Sequence, residues 1–186
     1  MKDANELLIQ QLCEQIALEE HLCQLIQGQA DGINDSQFLD AKALLAGTAD
    51  TLRRHFDALN KLLDVLEKDG ISLTGSGRLT NGGTHLHPET ASEALAVSRM
   101  LRDDYAALNR VTISNTMLHT AALALKSQDL ALAALKHLEN IAPFVVQIGE
   151  LLPDVIAREL QAHSDEVDLS IAKEALRNTK RAWGRA

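Results

Sequence analysis

The chain has 186 residues, a formal net charge of −8, 46% hydrophobic and 24% charged residues, and only 3% aromatic residues. That length suits one domain, 1–186, with a full core, and the scarcity of aromatics means the core is built from Leu, Ala, Val and Ile. The acidic balance excludes a general nucleic-acid or anionic-membrane surface, because phosphate binding needs clustered Lys and Arg.

Three prolines in the whole chain, and long stretches rich in Ala, Leu, Gln, Glu and Lys, predict an all-α fold. A first helix is predicted over about 5–27, with Leu8, Leu12, Ile16, Cys23 and Ile26 on one face. The glycines of GQADGINDS then break the chain, and Asp35 or Ser36 caps a second helix over about 37–68. A break this short makes the two helices antiparallel neighbours. Residues 69–87 are glycine-rich and aperiodic, so they form one long connection. His87, Pro88 and Glu89 open a third helix running to about 125. Asp129 caps a fourth helix to about 161, with Pro143 and Pro153 inside it. Asp168 precedes a short fifth helix, about 169–181.

Cys13 and Cys23 lie about 15 Å apart along one helix and cannot pair within a chain. Unpaired thiols, no signal-type apolar segment and no apolar run of about 20 residues give the expectation of a cytoplasmic protein away from membranes. Lys173, Arg177, Lys180, Arg181 and Arg185 form a basic tail. It reads either as a contact for an acidic partner or nucleic acid, or as a solvated helix end where cations are favoured.

Two long antiparallel helices, a long connection, two more long helices and a short fifth one form a chain order that resembles the ferritin-like superfamily of bacterioferritins, rubrerythrins and DNA-protecting ferritins. The segment HFDALNKLLDVLEKDGI, 55–71, is similar to the end of a bacterioferritin second helix. The resemblance implies a four-helix bundle and a homo-oligomer. It also implies a di-iron centre made from a Glu on each of two helices and a Glu-x-x-His on each of the other two. This chain departs from that motif: it reads Leu52-Arg53-Arg54-His55 and Ala134-Leu135-Lys136-His137, with both histidines present and both motif glutamates absent. The expectation is therefore a ferritin-like bundle with a degenerate site, acting as a non-enzymatic binding or structural, stress-related module without a resident metal. The alternative is a metal-binding protein or oxidase that uses iron or manganese at a rearranged site.

Counting levels along the helices, with the third beginning at 88, puts His55 and His137 about 15 Å apart, too far to share one ion. Two smaller constellations follow. Glu14, Asp50, His55 and Asp104 (or Asp103) could hold a divalent metal, or form ion pairs flanking the core. Asn115, His119, His137 and Asn140 could hold a metal through two imidazoles, or satisfy one another as a buried polar cluster. His85 and His87 fit a loop and helix entrance. Glu19, Glu20 and His21 are adjacent, so they point to different faces, and the same count sets them away from His55. The glycines at 75, 77, 82 and 83 match no phosphate-binding spacing.

Overall fold

The computed structural model describes residues 4–68 and 97–184, and every regular element in them is helical. Helix α1 spans Ala4–Gly32, α2 Leu39–Lys68, α3 Val97–Ala124, α4 Gln128–Gln161 and α5 Ile171–Ala182, with a single 3₁₀ turn at Ser36–Phe38 leading into α2. The first helix runs past Gly28 because nothing crowds that position, and it stops at Gly32. The Asp35 carboxylate accepts the Gln37 amide and starts the 3₁₀ turn, as the cap reading expected. Asp168 accepts both the amide and the hydroxyl of Ser170 just before α5. At α4 the N-cap is Ser127, and Asp129 sits in the first turn. The connection expected at 69–87, the helix entrance at 88–96 and Arg185 lie outside the described residues.

Cross-helix contacts fix the direction of each helix. Cys23 donates its thiol hydrogen to the Ala49 carbonyl, and Lys42 donates to Ile33, so α1 and α2 are antiparallel. Glu159 accepts the Ser98 amide at one end of the α3–α4 pair, and His119 meets Ala131 at the other. Gln29 of α1 faces Asp104 of α3, and Glu19 faces Asn115. Arg158 of α4 binds Asp40 of α2, and Phe144 packs on Gly47. Helices α1 and α4 therefore run one way and α2 and α3 the other. The chain between Lys68 and Val97 thus joins opposite ends of the bundle.

The buried residues form two blocks. One contains Leu22, Ile26, Leu45, Leu52, Leu101, Leu108, Ile141 and Ile148. The other contains Leu8, Leu12, Leu59, Leu63, Leu118, Leu130 and Ala134. On every long helix the second block is separated from the first by polar residues at one level, and those residues are the candidate site. Helix α4 is long and apolar enough to cross a membrane by length and composition alone, and 28% of its most apolar 18-residue stretch is buried in the bundle. Its Leu130, Ala134, His137, Ile141, Val145 and Ile148 face the other helices.

Candidate metal centre

Each of the four long helices delivers a polar side chain to the layer between the two apolar blocks, namely Glu19, His55, Asn115 and His137, and α1 adds Gln15; all are buried. The placement follows from helical spacing. Glu19 continues the row of Leu12, Ile16, Cys23 and Ile26; His55 the row of Leu52 and Leu59; Asn115 that of Val111 and Leu118; His137 that of Ala134 and Ile141. A polar residue on an apolar row is carried into the core whether or not it finds a partner there.

The partners are incomplete. Asn115 donates its amide nitrogen to Oε1 of Glu19 at 3.1 Å, and Gln15 donates to the same oxygen at 2.5 Å. His55 Nδ1 lies 3.7 Å from Oε2 of Glu19, and His137 Nδ1 lies 3.8 Å from Oε1, both too long for hydrogen bonds. The two imidazole rings stack with centroids 3.9 Å apart and planes 4° from parallel. Five buried polar atoms are left without a hydrogen-bond partner here: Gln15 Oε1, Glu19 Oε2, His55 Nδ1, Asn115 Oδ1 and His137 Nδ1. Each such atom costs about 1–3 kcal/mol if left unmade.

Burial sets the protonation states. Desolvation pushes the Glu19 carboxyl up to about 7, an effect the hydrogen bonds from Asn115 and Gln15 only partly offset. Desolvation likewise lowers His55 to about 4, helped by the nearby Arg54 and Lys136 charges. His137 falls to about 3, from burial first and then from His55 and Lys136. At neutral pH both imidazoles are therefore uncharged and offer lone pairs, while Glu19 sits near the midpoint of its titration. The Asn140 carboxamide lies 3.3 Å from Nε2 of His55. The near atom is the amide nitrogen, which donates, so Nε2 of His55 accepts and the neutral ring carries its proton on Nδ1, the side that faces Glu19.

Glu19, His55 and His137 each place one candidate ligand atom within 4.8 Å of the others. Ligands sharing one ion at bond lengths near 2.1 Å stand roughly 3–3.5 Å apart, so a modest contraction and splaying of the stacked rings would bring the three to one ion. Two imidazoles and one carboxylate suit divalent first-row transition metals. The carbonyl oxygens of Gln15 and Asn115 are further donors at the same level.

Comparison of the chain with protein-family models, with curated proteins and with solved structures finds no match. The site has to be read from its own geometry.

That geometry departs from the sequence-based expectations in identifiable ways. His55 and His137, expected about 15 Å apart, are in ring contact. The level count took 88 as the top of the third helix. The structure instead sets Ser98 beside Glu159, and so at the level of Asp40. The offset from 88 to 98, at about 1.5 Å per residue, accounts for the discrepancy. Glu19, set aside by the same count, is the centre of the cluster. The set of Glu14, Asp50, His55 and Asp104 is not brought together. Glu14 is exposed and accepts from Gln10, and Asp50 is exposed beside Arg53. Asp103 is exposed beside Arg102, and Asp104 is buried higher in the bundle, facing Gln29. Of the second set, Asn115 and His137 converge in the buried layer, through Glu19 and across all four helices rather than two, whereas Asn140 is exposed and only touches His55 from outside. His119 stands apart, its Nδ1 2.8 Å from the Ala131 carbonyl.

Proposed function

We propose that this chain is a metal-binding helical-bundle protein of ferritin-like topology, which holds one divalent transition-metal ion through Glu19, His55 and His137. The observation that carries the reading is the convergence of one carboxylate and two uncharged imidazoles, with unpartnered ligand atoms, at the centre of the bundle. Glu19 and Asn115 stand on the helices where the family's two lone glutamates would stand, and His55 and His137 where its two motif histidines would be. Leu52 and Ala134, both fully buried, occupy the positions of the bridging carboxylates. One carboxylate in place of four balances too little charge for two ions, and so favours a single one. When bound, an ion at these ligands would supply a Lewis-acidic and, for iron or manganese, redox-capable centre. The protein's own part is to desolvate the ligands and keep both imidazoles uncharged.

Thermal melting of the metal-free chain, titrated separately with Mn(II), anaerobic Fe(II) and Zn(II), tests the reading. At least one ion at 100 times its Kd should stabilise the fold by about 2.7 kcal/mol. His137→Ala and Glu19→Gln should abolish that shift, whereas Glu14→Gln, at an exposed position, should leave it intact. The absence of a shift with every ion, or a shift that survives in both site variants, overturns the proposal.

A second reading rests on the raised carboxyl: a purely protonic layer in which neutral Glu19 and two neutral imidazoles share hydrogen bonds. It makes the same cluster a specificity device for the bundle. A homo-oligomer, and recruitment of an acidic partner or nucleic acid by the C-terminal cations, stay as proposals from family resemblance and composition. Lys180 of that tail is engaged with Glu150 of α4 at 2.5 Å.

A further inference from the structure

Far from the polar layer, α5 lies across the ends of α3 and α4 and leaves a pocket of about 440 Å³ between them. The space exists because the residues meeting there are small: Gly149 on α4, and Ala172 and Ala175 on α5. The aromatic rings of Trp183 and Tyr105 form its walls, both 3.7 Å or less from the position a Gly149 Cβ would take. Its lining is almost wholly apolar, and its one charged lining residue is Arg102 of α3. It is a groove open to solvent, with Trp183 about half exposed, and ligand sites of roughly 300–1,000 Å³ combine apolar walls with a few placed polar groups.

We propose that this pocket binds a small amphipathic anion, a monocarboxylate with an acyl or aromatic body. The body would lie between Trp183 and Tyr105 and the carboxylate would meet Arg102. The guanidinium is exposed, and its contacts run from Nε and Nη2 to a single Asp103 oxygen. Exposed pairs of this kind contribute little, so an incoming carboxylate can displace Asp103 and engage the planar fork in two parallel hydrogen bonds. A neutral ligand of the same length gains the apolar contact but not this charge pairing. The site is independent of the metal reading, sharing no residue with it.

Trp183 is the chain's one tryptophan, so its fluorescence reports directly on the pocket. The full-length chain is titrated with decanoate, and with decanol as the uncharged counterpart, below the concentrations at which either aggregates. Decanoate should produce a saturable change, with decanol at least five-fold weaker and Arg102→Gln weakening decanoate to the level of decanol. Ala175→Phe should abolish the response while the far-UV circular dichroism stays helical. Thr179→Phe plugs the same space and serves if the first variant does not fold. The absence of saturable binding, or undiminished binding in the plugged variants, overturns the site. Equal binding of decanol and decanoate overturns its preference for an anion.

Discussion

At the scale of single residues, the fold's most consequential choice is to bury Glu19 between two imidazoles that burial itself keeps uncharged. A carboxyl whose folded pKa stands above its unfolded value contributes stability that is fully present below the unfolded pKa and is lost as pH rises through the folded one. Glu19 is raised from 4.5 to about 7, and Asp104 from 3.8 to about 7, the latter by burial against the opposing hydrogen bond from Gln29. Both losses fall in the same window. The histidines are lowered from 6.5, so their contribution is lost only as pH falls below that value. In chelator, metal-free protein should therefore lose stability between pH 6.5 and 8 and level off above. Urea unfolding at a series of pH values checks this. Glu19→Gln or Asp104→Asn alone should remove most of the slope, because proton uptake by the unfolded histidines offsets the carboxyl that remains, and a slope unchanged in both would mean that neither carboxyl is held protonated by burial.

Other residues do plain structural work. Gly47 is inside α2, and a Cβ there would meet the Phe144 ring at 3.6 Å, an ordinary contact. Gly47→Ala should stabilise the protein by about 0.5–1 kcal/mol through helix propensity, read as a higher melting temperature.

At the scale of elements, each long helix has a buried row, and the rows were legible from spacing alone: Leu8, Leu12, Ile16 and Ile26 in α1, or Leu52, Leu59 and Leu63 in α2, fall where a 3.6-residue period puts them. Polar interruptions of those rows were legible too, although Gln15, Thr48, Thr51 and Asp104 interrupt them as well as Glu19, His55, Asn115 and His137. What sequence could not supply was the relative height of the rows, because that depends on which residue of α3 stands beside Glu159. Nothing in the sequence marks Ser98 as that residue, whereas Pro88 offers a helix-start signal. The error moved Glu19 and His137 away from His55 on paper.

Elements are held in register partly by Arg158. Its guanidinium reaches Asp40, Asp154 and the Gln37 carbonyl, and lies 5.7 Å from the Phe38 ring centroid, tying the end of α4 to the start of α2. The partners are about half exposed, so Arg158→Ala should cost only about 1 kcal/mol. By contrast Leu108→Ala, in the fully buried upper block, should cost about 2–5 kcal/mol. Chemical unfolding of the two variants checks the ranking, and a larger loss for Arg158→Ala would contradict it.

At the scale of the whole molecule, the bundle consists of two apolar blocks held apart by a polar plane. An apolar plane would be the cheaper way to build such a core, since half-satisfied buried networks are destabilising. Retaining five unpartnered polar atoms at the centre is comprehensible if a ligand completes them. The up-down-down-up order makes this possible: α2 and α3 run in parallel, α1 and α4 run the other way, and one side chain from each reaches the same level.

The direct test is the metal content of the full-length chain after it is loaded with Mn(II), Fe(II) or Zn(II) and freed of excess ion by desalting. Elemental analysis should find close to one ion per chain for at least one of these metals, and none in the Glu19→Gln or His137→Ala variant. No retained ion with any of the three, or an equal content in wild type and both variants, would contradict the account.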